Sequence, residues 1–189
     1  MKHIKRAACL AVLALAGSAS WAQDKVDPYR EGVYVSGGVG RTDYEFLFAS
    51  CAFTTCPKVK FGSNSLRVAA GYGWRILGAE ATLTDYGSGG SALDSRHIKA
   101  AGASVFLRVR PIGIAELSWR FGIAQAHETR VDGGVSSSRD LTLKTAGVGL
   151  GLDVHPRGTL VFQFEAVIDR KNTSTGAISL LASYRHHFD

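Results

Sequence analysis

The sequence predicts an all-β fold: an eight-stranded antiparallel transmembrane β-barrel in up-and-down meander order. Three observations predict it. The first is a two-residue alternation with an unusual second face. In Ser65–Trp74, Leu66, Val68, Ala70, Tyr72 and Trp74 fall on one side, and Ser65, Arg67, Ala69, Gly71 and Gly73 on the other. A soluble antiparallel sheet turns Lys, Glu, Thr and Gln to water. Small residues with single charges instead suit the crowded inside of a narrow barrel, and their apolar partners then face lipid. The second is that connections alternate between short and long. The third is an export leader at the N-terminus.

The leader comes first in the chain. Lys2, Lys5 and Arg6 form a basic n-region, Ala7 to Ala16 an apolar h-region, and Ser20-Trp21-Ala22 a small-residue cleavage site. Residues 1–22 are therefore expected to be a signal peptide. The apolar run is too short to span a bilayer. Three basic residues leave with it, which halves the formal net charge of +6. No basic run interleaved with aromatics survives, so a nucleic-acid partner is not expected. Residues 23–31 read as a periplasmic lead-in and 32–189 as the barrel domain.

Eight alternating segments follow. Strand one is read as Gly32–Thr42, with Val33, Val35 and Val39 outward. Strands two and three are Ser65–Trp74 and Leu77–Thr84. Strands four and five are Ile98–Arg110 and Ile114–Ala124. Strand six is Leu141–Val154, with Ala146, Val148, Leu150 and Leu152 outward. Strands seven and eight are Leu160–Ile168 and Ile178–Phe188. About ten residues per strand suffices to cross a bilayer at a tilt. All four prolines lie outside these segments, as an uninterrupted hydrogen-bonded wall requires.

The short connections are Arg75-Ile76, Pro111-Ile112-Gly113 and His155-Pro156-Arg157-Gly158. The long ones are Asp43–Asn64, Asp85–His97, Gln125–Asp140 and Asp169–Ala177, polar and rich in Gly and Ser. Short turns at one end and long loops at the other predict a barrel in an outer membrane, its long loops outside the cell. Cys51 and Cys56, in the first long loop, are expected to form a disulfide after export, closing a small ring. Tyr44, Phe46, Phe48, Phe53 and Phe61 flank them. These aromatics are expected to divide between an upper aromatic girdle and an exposed patch able to bind an extracellular ligand.

The inward face is expected to carry Arg67, Glu80, Arg108, Glu116, Arg120, Lys144, Asp153, Glu165 and Arg185. Eight strands enclose a lumen only just wide enough for side chains. Charges inside must pair, because an unpaired buried ion is strongly destabilising. A salt-bridged plug is the expected result, with an ion path formed by switching partners as the alternative. No metal-ligand cluster, cofactor motif or catalytic residue is assigned. Ser183 and His187 share the inward face but have no third triad member in sight. Gly147-Val148-Gly149-Leu150-Gly151 lacks the strand-to-helix context of a nucleotide loop.

Several stretches resemble the OmpA-like transmembrane domain family, with small eight-stranded outer-membrane barrels such as OmpX and OmpW as looser relatives. Tyr34-Val35-Ser36-Gly37-Gly38-Val39-Gly40 looks like its opening strand. Ala70-Gly71-Tyr72-Gly73-Trp74, Gly78-Ala79-Glu80-Ala81 and Asp85-Tyr86-Gly87 look like its second and third strands. Ser183-Tyr184-Arg185-His186-His187-Phe188 looks like its terminal strand. The cysteine pair matches one found in the first extracellular loop of one branch. The resemblance implies an assembly signal at Tyr184 and Phe188, although Asp189 follows the usual final aromatic. It implies barrel assembly machinery and periplasmic chaperones as partners during biogenesis, and outer-membrane lipid and lipopolysaccharide afterwards. The peptidoglycan-binding domain of full-length relatives has no counterpart here, so wall anchoring is not expected. A monomer with a structural and surface-interaction role is expected. A small-solute or ion channel is the alternative, and a lipid A-modifying enzyme the third reading. The His-x-Ser element of outer-membrane lipid A deacylases is absent. A soluble periplasmic barrel is disfavoured, since its leucines would face water.

Overall fold

The computed structural model describes residues 30–44, 61–90, 95–170 and 176–188. The leader, Cys51 and Cys56, and the aromatics Phe46, Phe48 and Phe53 lie outside the described residues. Eight strands form one closed antiparallel barrel in sequence order: β1 Gly32–Tyr44, β2 Phe61–Gly73, β3 Leu77–Gly90, β4 Ser95–Ile112, β5 Ala115–Asp132, β6 Val135–His155, β7 Gly158–Asp169 and β8 Gly176–His187. The meander predicted from the alternation is the observed fold.

Register fixes the shape. From Gly37 the ladder of paired residues leads through Val68, Leu83 and Ala101 to Gln125 on β5. The other way round, through Tyr184, Leu160 and Leu152, it reaches Ala115. The two arrivals are ten residues apart along β5. That stagger over eight strands tilts them by roughly 40° and leaves a lumen that side chains fill.

The outward face is apolar where lipid is expected. Val39, Leu83, Phe121, Ile123 and Leu180 are more than half exposed. At the end of the short turns, Tyr72 packs on Trp74 with centroids 5.0 Å apart, and His186 packs on Phe188 at the same distance. This is an aromatic girdle at the periplasmic rim. Tyr184 and Phe188 both lie on the outward side of β8.

Two long connections are mostly strand. β4 and β5 continue to Ser95 and Asp132, and β6 begins at Val135. Asp85–His97 and Gln125–Asp140 were expected to be loops because they are polar. Residues 85–90, 95–97 and, apart from the turn at 133–134, 125–140 are instead hydrogen-bonded ladder standing above the apolar belt, where polar side chains meet water on the outer face. The β5–β6 connection is a two-residue turn, Gly133-Gly134, with φ of 57° and 82°. Two consecutive left-handed residues make the turn whose twist suits a hairpin. A second glycine is imposed at Gly87 (φ 78°), beside the irregularity between Asp85 and Ser88, where a Cβ would lie 2.0 Å from the Asn64 carbonyl oxygen.

Candidate functional site

The lumen is filled in layers. At the periplasmic end Glu116 accepts from Arg185 at 3.0 Å and faces Arg108 at 3.4 Å and Arg110 at 3.5 Å. Asp153 takes Arg110 at 2.5 Å and Arg30 at 3.5 Å. Four guanidiniums thus share two carboxylates. Backbone carbonyls take up the excess: Arg108 donates to Arg30, Trp74 and Arg75, and Arg30 donates to His155 at 2.8 Å. Arg30 comes from the lead-in, not from a strand, and corks the mouth. Its burial there pulls the guanidinium below its ordinary pKa, and the Asp153 charge opposes that shift.

Above this layer Glu80 binds Arg120 and accepts from the Tyr34 hydroxyl at 2.8 Å and Ser104 at 3.3 Å. The Arg185 guanidinium lies 4.9 Å over the Tyr34 ring and 5.6 Å over Phe106. Next, Glu165 binds Arg67 and accepts from Gln163 at 2.9 Å and Tyr86 at 3.3 Å. A free space of about 10 Å³ lies between these layers, bounded by Arg67, Arg120 and Glu165 among others. That is room for about one water.

The sequence reading missed the next layer. Tyr86, Ile98, Leu141, Leu143 and Val167 form a buried apolar plug across the upper lumen. Above it Glu128 binds Arg96 and accepts from Arg139 at 2.5 Å. Ile98 and Leu141 were read as strand ends beside loops, and Glu128 and Arg96 as loop residues. Extending the alternation past the belt would have revealed all four as inward.

Two expected positions are corrected. Lys144 is not in the lumen: it is exposed, and it pairs with Ile123 and Ile168, both outward. It has the same parity as Ala146 and Val148, and a long cation at the top of the belt reaches water more cheaply than it fills a closed core. Tyr44 is not in the girdle: it is fully buried, its ring lies 5.2 Å beneath Arg96, and its hydroxyl donates to the Gly87 carbonyl at 3.0 Å. The other eight residues of the expected interior set do line the lumen: Arg67, Glu80, Arg108, Glu116, Arg120, Asp153, Glu165 and Arg185.

Ser183 and His187 are not joined as a dyad. Ser183 donates to the Val161 carbonyl at 3.4 Å, while both ring nitrogens of His187 are buried with no hydrogen-bond partner among the described residues. The ring instead packs against Tyr34, centroids 5.8 Å apart. Replacing an unsatisfied buried polar ring by an apolar one is nearly neutral or stabilising. His187→Phe is therefore expected to leave the unfolding midpoint in vesicles unchanged or raised, and a lower midpoint would show that the imidazole holds a partner through water.

A closed eight-stranded wall, an apolar belt, a rim of aromatics and a paired interior meet here in one chain. The outer membrane protein beta-barrel domain family matches it over residues 7–185. The chain belongs to this family. Its belt is accordingly set in the outer membrane. Among solved structures it is similar to Neisserial surface protein A at 16% identity, covering 83% of this chain and 97% of that one, TM-score 0.66. It is similar to Ail, the attachment invasion locus protein of Yersinia pestis, at 17% identity, 84% and 100% coverage, TM-score 0.57. The N-terminal β-barrel domain of Pseudomonas aeruginosa OprF superposes at 12% identity, 84% and 100% coverage, TM-score 0.58. At such identities the likeness is one of fold. Curated protein sequences yield no match.

Proposed function

We propose that this barrel acts as a membrane-stabilising scaffold that presents its extracellular hairpins for contact with other surfaces, and does not act as a pore. The observation that carries the reading is the division of labour along the axis. Among the described residues the lumen is filled by paired charges and an apolar plug. The β5–β6 hairpin meanwhile stands clear of the belt and ends in exposed polar residues. Ser137 donates to the Arg130 carbonyl, and Arg130 pairs with Asp132 at 3.0 Å, so the hairpin is ordered rather than merely long. Rigid exposed strands present contact residues at low entropic cost. Ail, of similar fold, is named for attachment and invasion, and one of its structures holds a heparin analogue, sucrose octasulfate. A sulfated polysaccharide is therefore a sensible first probe here.

The test displays the barrel on a non-adherent laboratory strain and measures attachment to immobilised matrix proteins and heparin. Shortening β5–β6 by joining Gln125 to Thr142 through a two-residue turn is expected to abolish attachment while the heat-modifiable migration of the folded barrel persists. Attachment equal to that of the empty strain for the unshortened protein would overturn the reading. The channel alternative has its own measurement. Purified barrel in planar bilayers is expected to give no steady conductance, and large steady single-channel steps would favour a pore.

A further inference from the structure

The belt is unevenly bulky. Two rungs of outward residues at matched register cross β3 to β6: Ala81, Ala103, Ile123 and Lys144, and below them Ala79, Val105, Phe121 and Ala146. Alanines on β2, β3 and β4 leave a hollow of about 670 Å³, floored by Ala70, Ala81 and Ala103 and flanked by Phe121. Phe121 and Ile123 stand out beside it, 55% and 65% exposed. A groove and a ridge thus lie next to each other on one wall. Above them Lys144 is exposed and makes no ion pair among the described residues.

Depth decides what such a wall can meet. Every copy crosses the outer membrane with the same end outward. Two copies side by side are therefore related by a two-fold axis along the membrane normal, and residues meet only others at their own depth. The rungs are not level. A stagger of ten residues over eight strands makes each strand step from β3 toward β6 climb by about 1.25 residues. Two steps separate β3 from β5, and Phe121 sits two residues below the Ala81 rung. The climb offsets the drop, and Phe121 comes level with the hollow between Ala81 and Ala103. In the same way Gln125, two residues above that rung, comes within one residue of the depth of Lys144 on β6. The strand tilt also fixes the lateral placing. Val105 and Ile123 stand one above the other along the membrane normal, with Phe121 to one side and the hollow about equally far to the other. Lys144 and Gln125 flank the same line.

We propose that this wall is a self-association surface, on which two copies of the chain form a parallel dimer about an axis running past Val105 and Ile123. Phe121 of each copy seats over Ala81 and Ala103 of the other, and Lys144 of each donates to the Gln125 side-chain carbonyl of the other. Bulk meets hollow twice and donor meets acceptor twice, because the surface is its own complement. Apolar burial favours nothing here, since both faces already lie in lipid; packing decides, and small residues admit the close approach. An acyl chain must be ordered to fill the hollow, whereas the Phe121 ring is already held on a strand. The pair replaces the monomer expected from the sequence. The surface lies within the membrane, apart from the hairpin tips, so it stands or falls independently of the attachment reading.

The test puts the photo-cross-linking analogue p-benzoylphenylalanine in place of Phe121 and irradiates intact outer membranes. A covalent dimer is expected, its cross-linked peptide containing Ala81 or Ala103. The same analogue in place of Leu180, outward on the far wall, is expected to give none. Adducts with lipid alone at the Phe121 position would mean that acyl chains fill the hollow, and equal dimer from both positions would mean chance collision. Either result overturns the proposal, as does a cross-link to a different protein. Energy transfer between labelled barrels in dilute phosphatidylcholine vesicles then measures the affinity. Ala103→Phe fills the hollow and is expected to weaken self-association about tenfold. Folding is checked by heat-modifiable migration. Should Ala103→Phe fail to fold, Phe121→Ala, which removes the ring and crowds nothing, is expected to weaken it by about as much. Wild-type transfer no greater than that of Phe121→Ala would overturn the proposal.

Discussion

Glu116→Gln is expected to cost the folded barrel about 3–5 kcal/mol, the range for removing one partner of a buried ionic group. Three guanidiniums converge on this one carboxylate, and they differ in what else they hold. Arg110 keeps Asp153 at 2.5 Å. Arg108 keeps three backbone carbonyls. Among the described residues Arg185 is left with the faces of Tyr34 and Phe106 and a longer-range attraction to Glu80, which satisfy a cation weakly beside a direct carboxylate partner. Most of the loss is therefore assigned to Arg185. Urea unfolding in lipid vesicles, followed by tryptophan fluorescence, measures it. Arg185→Met in the Glu116→Gln background is expected to recover more than half of the loss, because it removes the stranded charge while keeping the volume. A loss below about 1 kcal/mol would mean that water reaches this layer.

The lumen as a whole shows what the sequence could and could not convey. Parity alone assigned Arg67, Glu80, Arg108 and Glu165 to the lumen, because inside and outside alternate without interruption through each strand. Lys144 was misplaced by reading its charge in place of its parity. It is an even residue on a strand whose even residues face lipid, and its amine sits at the height where the belt gives way to polar groups. Composition also set the strand ends too early. Ser136, Ser137 and Ser138 resemble a loop, yet they pair with Val131, Arg130 and Thr129, since a ladder in water needs no apolar face. Arg30 had no signal at all: nothing in a polar lead-in announces that one guanidinium will turn into the barrel mouth. The apolar plug was hidden for a related reason. Ile98, Leu141 and Val167 stand on three different strands, and only the closed register brings them to one level.

Gly78 carries the second large effect. It pairs with Phe106 across β3 and β4, and a Cβ there would lie 2.1 Å from the ring. The ring cannot retreat. It is 1% exposed, meets Tyr34 edge-on at 6.2 Å and lies under Arg120 and Arg185. Gly78→Leu is therefore expected to destabilise by about 3 kcal/mol, the upper end of the usual overpacking range. Phe106→Ala, which leaves a cavity and two cations without their ring face, is expected to cost about 3–5 kcal/mol. The two losses should not add. In the double variant the leucine enters the space the phenyl ring vacates, so the combined loss is expected to fall short of the sum by about 1–3 kcal/mol. A thermodynamic cycle of urea unfolding in vesicles reads this coupling directly. Additive losses would mean that Phe106 has another rotamer available and that the glycine serves only the backbone. A large favourable coupling would establish that the inward glycine exists to seat an aromatic ring, the device by which a strand too small to fill the lumen borrows volume from its neighbour.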